Sequence, residues 1–216
     1  MKRKWLPAAI LLLLGLAILL YPSVSNYLHR MNSSYALQQL TQTLENQDPK
    51  LLAQQLSQAE LYNASLRGKA ECPHLYENIL NFENGIMGCL EIPAIGVLLP
   101  IYHGVSETVL GKGVGHIPST PFPIGGNGNH SVLTGHTGLP SAELFTGLSR
   151  LQIGDVFYIR ISGKTLTYTV DSILTVTPSE TDMLVNVPGE DYCTLVTCTP
   201  YGINSHRLLV RGSRSL

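Results

Sequence analysis

A run of 17 residues without charge, positions 5–21, follows directly on Lys2-Arg3-Lys4 and constrains the chain more than any other feature. At 1.5 Å per residue a helix of that length reaches about 25 Å, just enough to cross a hydrocarbon core of about 30 Å. Trp5 and Tyr21 stand at its two ends, where interfacial aromatic residues belong. The basic cluster ahead of the run holds the N-terminus in the cytoplasm and exports everything after it. Cleavage at Ser23-Val24-Ser25, which would make the run a signal peptide, is the rival reading; an uncleaved anchor is expected. Leu208-Leu209-Val210 is cut short by Arg211 and Arg214, so the chain is expected to rely on its N-terminal anchor alone.

The 216 residues suit one domain plus an appendage. Fourteen Lys and Arg against 15 Asp and Glu leave a net charge of -1, which supplies no field to hold a nucleic-acid backbone. With 44% hydrophobic and 13% charged residues the chain is too apolar for disorder.

Positions 26–67 carry Leu37, Leu40, Leu44, Leu51, Leu52, Leu56 and Leu61 mostly at helical spacing. They predict a pair of amphipathic helices broken at Asp48-Pro49, with Asp48 as cap and Pro49 at the first helical position. Too few clean heptads are present for a coiled coil, so these helices are expected to pack on the following domain, and Gly68 to end them. From about position 85 the period changes. Short apolar runs at 88–92, 97–101, 131–135, 156–161, 165–176, 191–198 and 207–210 read as strands. Turn chemistry separates them at Gly125-Gly126-Asn127-Gly128-Asn129, Ser162-Gly163-Lys164 and Pro200-Tyr201-Gly202. A short helical turn is expected at 142–148. Seven or eight strands with few helices make a mostly β domain, a closed barrel or a sandwich.

Gly111-Lys112-Gly113-Val114-Gly115 lacks the Ser/Thr and the strand-loop-helix setting of a phosphate loop and reads as a loop with positive φ angles. The cysteines at 72, 89, 193 and 198 form no Cys-x-x-Cys pair, which argues against zinc. Cys193 and Cys198, five residues apart on one strand, face opposite ways and cannot pair with each other. Cys193 reads as a small buried hydrophobe, while Cys72 and Cys89 are either a disulfide or unrelated. Cys198 closes its strand before a turn that exposes the strand end, the placement of a nucleophile, and a thiol of pKa about 8.5 needs a base or a cation beside it. Among seven histidines, His136 stands out because it closes the strand 131–135 between Gly135 and Gly138.

Thr194-Leu195-Val196-Thr197-Cys198, continuing through Thr199-Pro200-Tyr201-Gly202-Ile203-Asn204-Ser205-His206-Arg207, resembles the active-site signature of the sortases, and specifically of class C, the pilin-polymerising sortases of Gram-positive bacteria. Leu99-Pro100-Ile101-Tyr102-His103-Gly104 and Ser131-Val132-Leu133-Thr134-Gly135-His136 look like the same class. The resemblance covers roughly residues 60 to 214. It implies a closed eight-stranded sortase-type β-barrel preceded by a membrane helix and amphipathic helices. The layout becomes a cytoplasmic tail at 1–4, an anchor at 5–21, a helical region and linker at 22–84 and a catalytic barrel at 85–216.

The activity implied is that of a cysteine transpeptidase that cuts a Leu-Pro-x-Thr-Gly-like sorting signal between Thr and Gly and passes the acyl group to a pilin lysine. Carried over by position, Cys198 is the nucleophile, His136 the general acid/base and Arg207 the cation that stabilises the oxyanion. Thr197, Leu195 and Thr134 are the expected substrate contacts. No cofactor and no metal are implied. The partners implied are pilin subunits bearing the sorting signal, the acceptor lysine, and the membrane. The alternatives are a sortase that anchors proteins to peptidoglycan and a non-catalytic sortase-like assembly factor, which would have lost one of the three residues. Class C members carry an Asp-Pro-aromatic lid, whereas this chain has Glu71-Cys72-Pro73-His74 near 70–78. Cys72, Pro73 and His74 are therefore candidates for a reduced or absent lid.

Overall fold

A computed structural model of the chain describes residues 6–214. Lys2, Arg3, Lys4 and Trp5 lie outside the described residues. Helix α1, Leu6–Asn46, runs unbroken from the apolar stretch through Pro22 into the polar stretch, so the membrane segment and the first amphipathic helix are one element. Its first half is uniformly apolar and faces outward: Leu12 is 74% exposed and Leu19 is 73% exposed. Among the described residues it is the one helix long and apolar enough to cross a membrane. Helix α2, Pro49–Leu66, starts as expected, with the Asp48 carboxylate accepting from the Lys50 amide. Gly68, at φ +65, takes the left-handed turn after it.

Eight strands close a barrel: β1 Ile86–Ile92, β2 Val97–His103, β3 Val114–His116, β4 Asn129–Thr134, β5 Val156–Ile161, β6 Lys164–Val176, β7 Asp191–Thr199 and β8 His206–Ser213. Their order around the barrel is β1-β2-β3-β4-β7-β8-β6-β5. β2 pairs with β3 and β4 with β7 in parallel; the other neighbours are antiparallel. Closure removes free sheet edges. The interior holds Leu90, Ile101, Leu133, Phe157, Tyr168, Leu195 and Val210, all fully buried. Burying each such side chain contributes roughly 1.5–3 kcal/mol.

Two local expectations are corrected. Val114 and Gly115, read as part of a glycine loop, belong to the short strand β3, because Val114 faces the core and pairs with Ile101. The segment 142–148 is not a helical turn: Leu144 takes φ +37, which interrupts helical geometry, and a 3-10 turn forms later, at Leu148–Arg150.

α2 packs on the barrel as its apolar spacing predicts. The buried Asn63 side chain donates to the Phe122 carbonyl at 3.1 Å and to Asn129 Oδ1 at 2.9 Å, and accepts from the Phe122 amide at 2.7 Å. Downstream, Tyr76 stacks on Phe122, and its hydroxyl lies 2.9 Å from His116 Nδ1 and accepts from the Gly104 amide. Residues after α2 are thus strapped to β2 and β3.

Candidate active site

Alternation along β4, β7 and β8 gives each strand an inner and an outer face. Leu133, Cys193, Leu195 and Val210 point into the core. Val132, Val196 and Leu209 point outward and form a second buried cluster with Val176, over which Ile117 and Leu184 pack. On this outer face Thr134 is paired with Val196, and Val196 with Leu209. Two residues further toward the open strand ends stand Cys198 on β7 and Arg207 on β8, while His136 lies two residues past the end of β4. Cys198 and Arg207 are direct register partners. The ladder reaches one step past β4 through the Gly135 amide, which donates to the Val196 carbonyl at 3.1 Å. Neighbouring strands are about 4.8 Å apart, which sets Cys198 beside Arg207 at the ends of β7 and β8; neither Arg207 nor His136 lines the cleft that holds Cys198.

Threonine side chains brace this end. Thr197 donates to the Gly135 carbonyl at 2.7 Å and Thr134 to the Val196 carbonyl at 3.1 Å. Gly135 has no room for a side chain, because an added Cβ would lie 2.9 Å from Phe145. Gly138, at φ +77, lets the Tyr201 ring pass within 2.5 Å of where a Cβ would sit. A cleft of about 130 Å³ results, with Cys198 in its wall beside Phe145, Thr146, Thr197 and Tyr201.

The four thiols are free and differ sharply in setting. Burial pushes Cys193 well above the usual thiol range and Cys89 up to about 12, which keeps both protonated. Cys72 is half-buried beside the carbonyl of His74, and Cys198 is half-buried in the cleft. Cys198 is the register partner of Arg207 and stands in the wall of the cleft. His136 Nε2 lies 3.2 Å from the Glu107 carboxylate, and Glu107 heads helix α3, Glu107–Leu110, capped by Ser106. Arg207 Nη1 donates to the carbonyls of Asn204 and His206, and the guanidinium has no carboxylate partner among the described residues. An anchored but unpaired cation is available to an anionic ligand.

The sequence-derived substrate contacts separate. Thr197 lines the cleft, whereas Thr134 braces the strand below it. Leu195 is fully buried in the core and offers no surface to a ligand; its strand parity is that of Cys193, not of Cys198. Cys72, Pro73 and His74 do not line the Cys198 cleft and lead instead into the Tyr76 strap. Glu107, Thr146 and Tyr201 were not among the expected contacts. Glu107 is 29 residues from His136, and no local pattern couples such positions. Among the described residues no cluster of His, Cys, Asp or Glu is suited to a metal ion.

The sortase-domain family model matches residues 90–215. The crystal structure of Clostridium perfringens sortase C with its C-terminal cell wall sorting motif superposes with a TM-score of 0.77 at 41% identity, covering 85% of this chain and 99% of that one. Sortase C1 from Streptococcus agalactiae superposes at 0.78 with 40% identity over 84% of this chain and 98% of its own. Sortase A of the same species, serotype III strain NEM316, is 25% identical over 200 residues, 91% of this chain and 78% of the relative. The barrel, the site at its strand ends and these matches together place the chain in the sortase family of cysteine transpeptidases.

Proposed function

We propose that the chain is a pilus-building sortase in which Cys198, His136 and Arg207 carry the reaction. The observation that supports the reading is the register pair Cys198–Arg207 at the ends of β7 and β8, with Arg207 lacking a carboxylate partner among the described residues and His136 two residues past the end of the neighbouring β4. Likeness to sortase C structures at 39–41% identity supports the polymerising class. The substrate is a pilin with a Leu-Pro-x-Thr-Gly-like signal. The Cys198 thiolate attacks the Thr carbonyl, and the charge on its oxygen meets guanidinium donors that no physiological pH removes. The C–N bond to Gly breaks as His136 passes a proton to the departing amine, leaving a thioester on Cys198. A pilin lysine amine then attacks that thioester, His136 takes up its proton, and the thiolate is released with an isopeptide bond formed. Glu107 positions the His136 ring through its contact with Nε2.

The anchor at 5–21 crosses the membrane once and holds the barrel, 85–216, outside the cell; the apolar, outward-facing first half of α1 supports this arrangement. The segment 70–78 forms a reduced or absent lid, a reading supported by Cys72, Pro73 and His74 standing outside the cleft lining. Replacing Cys72 and His74 by serine is expected to leave the alkylation rate of Cys198 unchanged, and a several-fold acceleration would restore the lid.

The assay for the activity is incubation with a pilin bearing the signal, read as a ladder of covalent polymers on a denaturing gel. Cys198→Ala should give none. Transfer to peptidoglycan amines with no ladder would assign the chain to cell-wall anchoring instead.

A further inference from the structure

Beyond the membrane run, α1 does not stand clear of the barrel. Ser25 Oγ donates to the Ser141 carbonyl at 3.1 Å, the Glu143 amide donates to Asn26 Oδ1 at 3.2 Å, and Arg30 pairs with the Glu143 carboxylate at 2.6 Å. That pairing holds the Glu143 carboxyl below the usual carboxylate range. The three contacts fasten the helix to the β4–β5 connection, the same segment that supplies Phe145 and Thr146 to the Cys198 cleft.

Between the helix and this connection runs a groove of about 540 Å³. Pro22, Ser23 and Tyr27 form one wall, Leu139 and Pro140 the other, and Thr146 and Tyr201 line both the groove and the Cys198 cleft. The two hollows therefore adjoin. The far end of the groove, at Pro22 and Ser23, is the first stretch beyond the apolar run that ends at Tyr21, so it opens toward the membrane surface. Its two charged side chains, Arg30 and Glu143, neutralise each other, and the remaining lining is apolar or uncharged.

We propose that this groove binds the substrate chain on the leaving-group side of the scissile bond, as an extended, uncharged peptide segment running from Cys198 to the membrane. The proposal rests on the transpeptidase reading above. The proposal takes the substrate to be tethered to the same membrane beyond its Gly, so that the groove lies between the scissile bond and the bilayer. Pro22 to Arg30 rises about 12 Å along the helix. An extended chain covers that distance in roughly four residues. The helix thus serves as one wall of the substrate site as well as an anchor.

The experiment uses the full chain in detergent micelles with three soluble peptides: the Leu-Pro-x-Thr-Gly motif alone, the motif with six uncharged residues added after Gly, and the motif with the same six added before Leu. The expected result is a kcat/KM about tenfold higher for the extension after Gly than for either of the others. Ser23→Trp, at an exposed helix position, fills the groove and should erase that gain while leaving the short motif within twofold. Equal rates for all three peptides, a gain from the extension before Leu instead, or an equal loss on every peptide in Ser23→Trp would overturn the groove. Failure of every peptide to acylate Cys198 would overturn the transpeptidase reading itself, and the groove with it.

Discussion

Arg207 is held by two backbone carbonyls and faces the register position of the thiol without an ion-pair partner among the described residues. A planar fork of donors in that place stabilises an oxyanion in a way a single ammonium does not. Arg207→Lys is therefore expected to lower kcat/KM by about 100-fold. Thermal unfolding should move little, because the side chain is only half-buried. Glu107 touches His136 and is proposed to act at one remove, through it. Glu107→Ala should reduce kcat by roughly tenfold with KM within twofold, and Glu107→Gln, which keeps an acceptor, should recover part of the loss. An unchanged kcat in Glu107→Ala would remove it from the account. The place of Cys198 near a strand end was legible from the Pro200-Tyr201-Gly202 turn that follows it; the strand itself runs one residue further, to Thr199. Leu195 misled because a family signature is contiguous in sequence while a strand turns alternate residues to opposite faces. Glu107 was invisible because its partner lies on a different connection.

At the level of elements, the longer strands were legible because apolar runs of five or more residues stand between segments of turn chemistry. β3 was not, since three residues flanked by glycines carry no periodicity and are set by pairing with β2 and β4. The same limit hid the strap after α2, whose anchor Tyr76 works through residues far along the chain. His116 at its centre is fully buried, and burial lowers its pKa from 6.5 to about 4, with the nearby His103 adding to the effect and the Pro121 carbonyl opposing it. The folded state therefore binds this proton less readily than the unfolded chain. Stability is fully present above about pH 6.5 and is lost as pH falls toward 4, by about 3 kcal/mol in total. Denaturant unfolding of His116→Gln should show a flatter stability curve across this window than the wild-type chain. An identical slope would mean that another group carries the acid sensitivity.

For the whole molecule, α1 and the barrel are connected, with α1 reaching from the apolar run to the connection beside Cys198. The sequence reading divided a single helix in two, because composition changes at Pro22 while backbone geometry does not. The topology makes a direct prediction. A membrane-impermeant amine reagent applied to intact cells should label Lys50, Lys69, Lys112 and Lys164, and spare Lys2 and Lys4. Labelling in the opposite sense would invert the orientation.

The central claim is that Cys198 forms a thioester with a sorting signal. Intact-mass measurement of the full chain in detergent, after mixing with a Leu-Pro-x-Thr-Gly peptide, tests it most directly. The account predicts an added mass equal to the peptide up to its Thr, mapped to Cys198 and absent in Cys198→Ala. No adduct on a chain whose Cys198 alkylates readily with iodoacetamide, or the same adduct on Cys198→Ala, would contradict it.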